Sequence, residues 1–216
     1  YSAICSINNN FFLTYSNLTL AYGVYLQKFD SQGDPLWSSP IIVAEGDFAD
    51  NLVKAIIPNH LNNGVIILYE SASFMGVDLN VIFVSEDGSV LSNISMCSEC
   101  NNPQYESHAI GDNEFVVTYK TTSNSLSAGV FSQIFSFNGG ILGGENGLVV
   151  SDEVNDQRSS AITYNSSLDE YLVCWNDGRD TFSNDEGEEI VDLNILCSTL
   201  FFENNEPIVS EEIPVA

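Results

Sequence analysis

The sequence predicts an all-β chain of four repeats, most simply a four-bladed β-propeller with four short strands in each blade. Three observations predict it. An Ala-Ile pair recurs at 3–4, 55–56, 109–110 and 161–162, spacing the units by roughly fifty residues. Each pair is followed by a polar turn and an apolar strand that ends in an aromatic residue, in FFLTY, VIILY, FVVTY and EYLVCW. No stretch of useful length carries the 3.6-residue apolar period of a helix, so strands and turns must account for the chain. The expected organisation is one repeat domain over 1–216, with repeats at about 1–52, 53–105, 106–157 and 158–216.

In the first repeat the expected strands are SAICSI, FFLTYS, GVYLQKF and PIIVA. GVYLQKF alternates, with Tyr25, Gln27 and Phe29 on one face and Val24, Leu26 and Lys28 on the other. DSQGDP supplies Asp30, Gly33 and Pro35, residue types a tight turn wants. The second repeat reads KAIIP, GVIILYE, VDLNVIFV and VLSNISM, with SEDG at 85–88 as the matching turn. Near-continuous apolar runs such as VIILY suit strands covered on both faces.

The third repeat reads HAIG, EFVVTYK, AGVFSQIFSF and ILGGENGLVV. Residues 24–36 and 130–142 align without a gap, so Gln27 matches Gln133, Phe29 matches Phe135 and Leu36 matches Leu142. The fourth reads SAITY, EYLVCW, VDLNILCSTLFF and PIVSEEIPV, with FENNEP where the first repeat has FDSQGDP. Its second and third strands are joined by a long acidic stretch, NDGRDTFSNDEGEEI.

Charge narrows the function classes. Thirty Asp and Glu face five Lys and Arg, a formal net charge of −25. Nucleic acid is not an expected partner, because phosphate binding needs clustered Lys and Arg. Anionic membrane surfaces are disfavoured for the same reason, and no apolar run reaches membrane-spanning length, so no insertion is expected. The chain starts at Tyr1 with no Met and no leader-like segment, as expected of a processed or excised piece.

Cys5, Cys97, Cys100, Cys174 and Cys197 are the disulfide candidates. CSEC at 97–100 suggests a local bond; it lacks the further ligands of a zinc site and the βαβ context of a redox pair. Cys5 with Cys174 or Cys197 would join the end repeats, and Cys174 with Cys197, on adjacent strands of one blade, is the competing pairing. Asn17, Asn93 and Asn165 head sequons. Together these features favour an oxidising, extracellular setting.

The acidic stretch offers Asp177, Asp180, Asp185, Glu186, Glu188 and Glu189 as oxygen ligands for calcium, the one metal expected, although their spacing is not that of an EF-hand loop. The series Tyr15, Tyr69, Tyr119 and Trp175 recurs once per repeat and reads as packing anchors rather than a ligand surface. His60 and His108 stand alone, without a Ser or Cys motif, and read as structural or exposed.

QRSSAITYN at 157–165, EYLVCWNDGR at 170–179 and VYLQKFDSQGDPL at 24–36 resemble a propeller-like repeat of large bacterial and other extracellular proteins, QRxPAVAYN…EYLVVWxDxR…DIYGQRxDxDG. The resemblance covers essentially the whole chain, although the first three repeats lack WxDxR. It implies propeller blades on secreted or surface proteins, usually without known catalysis.

The expected function is therefore a structural subunit of an extracellular fibre or surface layer, associating with itself end to end. A glycan- or protein-binding module, with Phe74 and Phe182 as its exposed aromatics, is the alternative. An enzyme is not expected: a sialidase needs three arginines where this chain has only Arg158 and Arg179. Glycosidase chemistry needs two or three placed carboxylates, and thirty acids leave it open.

Overall fold

The computed structural model describes residues 1–17, 23–45, 50–73, 76–97, 101–122, 128–152, 157–183 and 189–215. Among these residues every regular element is a β-strand. The strands form four antiparallel sheets, each of four strands consecutive in the chain. Sheet 1 holds β1 (Ser2–Ile7), β2 (Asn10–Asn17), β3 (Gly23–Phe29) and β4 (Ile41–Ala44). Sheet 2 holds β5 (Asp50–Asn59), β6 (Gly64–Ser73), β7 (Gly76–Val84) and β8 (Val90–Ser95). Sheet 3 holds β9 (Asn101–Ile110), β10 (Glu114–Thr122), β11 (Ala128–Ser136) and β12 (Leu148–Ser151). Sheet 4 holds β13 (Gln157–Asn165), β14 (Glu170–Ser183), β15 (Glu189–Glu203) and β16 (Glu206–Val209), with β17 (Ile213–Pro214) also paired to β15.

Three elements depart from expectation. The fourth strand of the third repeat is shorter than ILGGENGLVV, because its glycines turn the chain and leave only an isolated bridge from Phe135 to Ile141 before β12. The acidic stretch is less of a loop than expected: β14 and β15 run on through it and pair from Asp180–Asp192 to Ser183–Glu189. The last strand is interrupted, with β16 ending at Val209 and β17 resuming at Ile213.

The hairpin between third and fourth strands repeats one design. Asp30 N donates to Asp34 O, Ser85 N to Ser89 O and Ser136 N to Gly140 O, at 2.9, 3.0 and 2.9 Å. Gly33, Gly88 and Gly139 take φ of 87°, 92° and 92°, a left-handed conformation that favours glycine. The fourth repeat bends differently, with Asn204 and Asn205 left-handed between paired Glu203 and Glu206.

The chain divides into two compact units, Tyr1–Met96 with Phe137–Gly139, and Cys97–Ser136 with Gly140–Ala216. In the first, sheets 1 and 2 share a core in which Ile7, Phe12, Val24 and Leu26 meet Val53, Ile56, Val65 and Ile67. In the second, sheets 3 and 4 bury Ala109, Val116 and Ile134 with Tyr171 and Leu200, and Val130 and Val150 with Val173, Trp175 and Leu196. Covering such strands on both faces is what makes their sequences read as unbroken apolar runs.

Cys174 and Cys197 are register partners across β14 and β15 and form a disulfide. The end-to-end pairing through Cys5 is thereby corrected. Adjacent strands already bring the two sulfurs of sheet 4 together, and Cys5 is a free thiol. Burial pushes that half-buried thiol up to about 12. Cys97 is disulfide-bonded, and its expected partner Cys100 lies outside the described residues.

Candidate active site

In the second unit a cavity of about 340 Å³ is lined by the polar Asp177, Arg179, Asp180, Asn194 and Glu212 together with the apolar Ile195, Leu196, Pro214 and Val215. Strand β14 supplies Asp177, Arg179 and Asp180 through a local irregularity. Between Asp177 and Asp180 it advances three residues while β15 advances two, from Asn194 to Asp192. Such a bulge re-aims the side chains beside it, and Arg179 turns back on Asp177.

Asp177 is fully buried. Its Oδ1 accepts from Arg179 Nε at 2.7 Å and from the Arg179 backbone N at 2.9 Å. Its Oδ2 accepts from Arg179 Nη2 at 2.8 Å, and from Trp175 Nε1 and Gln157 Nε2 at 3.2 Å each. Burial opposes the charge, but the Arg179 and Trp175 donors outweigh it and hold the carboxyl below its ordinary range.

The same guanidinium grips a second carboxylate. Nη2 donates to Glu212 Oε1 at 2.9 Å, and Nη1 lies 2.8 Å from Oε2. Two forks on one planar cation are the geometry that only arginine supplies. Hydrogen bonds to both acids raise the Arg179 pKa further above its ordinary value, so it stays a cation. Glu212 arrives from the gap between β16 and β17, and its side chain keeps 28% exposure. Asp180 is exposed and accepts from Asn194 Nδ2 at 2.9 Å. The cavity thus has one buried, locked acid and two acids open to it.

These positions sort the sequence-based candidates. Asp177 and Asp180 reach the cavity, but their oxygens are engaged by Arg179 and Asn194. Of the other calcium candidates, Asp185, Glu186 and Glu188 lie outside the described residues, as does the side chain of Glu189. Among the described residues no group of three or more His, Cys, Asp or Glu is placed to hold a metal.

Tyr69, Tyr119 and Trp175 are buried anchors and Tyr15 stacks half-buried on Tyr25 at 5.4 Å. His60 is exposed, while His108 bonds Tyr105 Oη at 2.8 Å and is held by burial below its ordinary pKa. Sequon residues Asn93 and Asn165 are exposed; Asn17 is half-buried. Phe74 lies outside the described residues, as does the side chain of Phe182. Sequence reasoning missed Glu212 altogether. Its one signal was the Glu-Glu pair that breaks the apolar alternation of PIVSEEIPV.

A second cluster lies at the turn ends of β10 and β14. Tyr171 Oη donates to Glu114 Oε1 at 2.8 Å, and Tyr164 Oη to Asp169 Oδ1 at 2.6 Å. Burial, then the nearby Asp169 and Asp112 charges, raise Glu114 against the opposing bond from Tyr171. In the first unit a cavity of about 380 Å³ is lined by Leu61, Asn62, Phe83, Leu91, Ser92, Phe137, Asn138 and Gly139. No charged side chain lines it, so it offers no acid–base chemistry.

No family model and no curated protein matches the sequence. Solved structures do match. An α-L-arabinofuranosidase from Clostridium thermocellum aligns over 99% of this chain and 72% of its own, at 13% identity and a TM-score of 0.50. An α-L-arabinofuranosidase from Fusarium graminearum aligns over 97% of this chain and 65% of its own, at 9% identity and a TM-score of 0.50. The fold is that of β-propeller glycoside hydrolases. This corrects two expectations, a fibre or surface-layer subunit and a chain without catalysis. The two matching structures named above are enzymes. Repeated strands and turns specify the blades alone, and they misled because they carry no trace of the residues at the blade ends.

Proposed function

We propose that this chain is a secreted glycoside-acting enzyme whose chemistry is carried by the cavity at Asp177, Arg179, Asp180 and Glu212. The observation that carries the reading is the pair of accessible carboxylates, Asp180 and Glu212, opening on one concave surface. Cleaving a glycosidic bond requires two such groups, one to protonate the leaving oxygen and one to act as base or nucleophile. Glu212, forked to Arg179, suits the anionic part. Asp180, the other accessible acid and not paired to a cation among the described residues, is left for the proton-donor part. A sugar presents hydroxyls at its edge and C–H groups on its face, and the cavity lining offers both polar and apolar side chains.

The likeness to two α-L-arabinofuranosidases favours a furanoside as substrate. Disulfide bonding at Cys174–Cys197 and at Cys97 supports an oxidising compartment.

The test is release of nitrophenol from aryl α-L-arabinofuranoside and of reducing ends from linear arabinan. Asp180→Asn and Glu212→Gln should each lower kcat by about 10²–10⁴-fold. A wild-type protein that releases no sugar from a broad glycoside panel, and gives no heat on titration with oligosaccharides, would overturn the proposal.

A further inference from the structure

Five side chains of the second unit close a ring of hydrogen bonds. Arg179 joins Asp177 to Glu212. Ser151 Oγ donates to Glu212 Oε1 at 2.8 Å, Gln157 Nε2 donates to Ser151 Oγ at 2.6 Å, and Gln157 Nε2 also reaches Asp177 Oδ2 at 3.2 Å. The members come from β12, β13, β14 and the gap between β16 and β17. From this ring we propose that Ser151 and Gln157 are positioning residues that fix the Glu212 carboxylate at the cavity. The inference rests on the glycoside-acting reading for its catalytic consequence, though not for its structural one.

The backbone holds the segment on either side of Glu212 but does not orient its side chain. The segment is tied to β15 at its two ends, by Ser210 N to Thr199 O at 2.8 Å and Val215 N to Ile195 O at 2.9 Å. Glu212 stands between those ties, outside any strand. Its orientation must come from its side-chain partners, and Arg179 is itself 29% exposed. Ser151 and Gln157 are buried, at 4% and 1%.

Proton direction in the ring is fixed by chemistry. Gln157 Oε1 accepts from Val130 N at 3.3 Å, so the amide nitrogen faces Ser151 and Asp177. A nitrogen donates, so Ser151 Oγ must accept there. Its single hydroxyl proton is then left for Glu212. The serine therefore hands the rigidity of a buried amide to an accessible carboxylate, and a geometric error of about 1 Å in such a group costs up to 10²-fold in rate.

The experiment compares Ser151→Ala, Ser151→Thr and Gln157→Leu with wild type, by steady-state kinetics on an aryl furanoside and by amide hydrogen exchange. Ser151→Ala should lower kcat about tenfold with KM within about twofold, and Thr should restore it. Exchange over 210–215 should quicken in Ser151→Ala and Gln157→Leu while β14 and β15 stay protected. Unchanged exchange at 210–215, loosening spread evenly through the unit, or a Ser151→Ala enzyme with wild-type kcat would overturn the proposal. If wild type hydrolyses no glycoside, the functional reading fails, and the exchange result alone decides whether the ring positions Glu212.

Discussion

Gln27 and Gln133 make the same bond in two different sheets. Gln27 Nε2 donates to Trp37 O at 2.9 Å, and Gln133 Nε2 donates to Gly144 O at 2.7 Å. Each buried amide clamps the long connection that follows its own strand, β3 or β11. The pair aligns residue for residue in the sequence, so the repeat preserves a tether as well as a strand.

Gln133→Leu keeps the volume of the side chain and removes the tether. It should cost about 0.5–1.5 kcal/mol, the net worth of one hydrogen bond, since the Gly144 carbonyl sits on an exposed residue and can turn to water. Faster exchange should appear first at 141–148. Chemical denaturation with exchange readout checks both, and an unaltered midpoint would show the bond to be redundant.

Removing the disulfide with Cys174→Ser or Cys197→Ser should lower stability by about 2–4 kcal/mol, since it closes a loop of separation 23. Both variants should show the same lowered midpoint in a urea titration under oxidising conditions, where the bond at Cys97 stays intact. A variant as stable as the oxidised protein would mean that the ladder of β14 with β15 holds alone.

Trp175 packs with Val130, Val150, Val173 and Leu196 and also bonds Asp177. Trp175→Ala should cost about 3–5 kcal/mol through the cavity it leaves. Trp175→Phe keeps most of the packing and removes one donor, so it should cost about 1–3 kcal/mol. Near-equal losses would mean that the indole N–H, not the ring, is the larger contribution.

Stability should fall on acidification, by two separate groups. Asp177 has a folded pKa below its ordinary 3.8, so the stability it adds is complete above that value and is lost as pH falls through its lower folded value. His108 is held below its ordinary 6.5, so its contribution is complete above 6.5 and declines as pH falls below it. Glu114 works the other way: its raised pKa makes the neutral form the better tolerated one as pH drops. Hence Glu114→Gln, which still accepts from Tyr171, should raise the neutral-pH melting temperature, while His108→Phe should flatten the profile between pH 5 and 7. Thermal scans at several pH values measure both; a lower melting temperature for Glu114→Gln at pH 7 would contradict the assignment.

Sheet membership was readable because it depends on local pattern. SAICSI and GVYLQKF coincide with β1 and β3, and the left-handed glycines at 33 and 88 fall where the turn signals stood. The candidate site was readable only where two or three of its residues share a segment. Trp175, Asp177 and Arg179 lie within one motif, and Gln157 heads another. Ser151 carries no local signal, and Glu212 only a break in the alternation of PIVSEEIPV, because their roles arise from bonds to residues up to 61 positions away. Periodicity also under-read β14 and β15, where alternating Thr, Phe, Ile and Val were outweighed by the surrounding acids.

Among the described residues one free thiol, Cys5, stands in a protein that also carries disulfides, and such a thiol is ordinarily a hazard, since exchange begins with attack by a thiolate. With the ordinary value of 9.0, about a tenth of Cys5 would be thiolate at pH 8; at about 12 the fraction is about one in ten thousand. Burial of Cys5 therefore keeps the attacking thiolate scarce, and its sulfur hard to reach, for as long as the fold persists. The native pairing is kept by kinetics as well as by geometry, and partial unfolding around β1 would expose both the nucleophile and the means to rewire the chain.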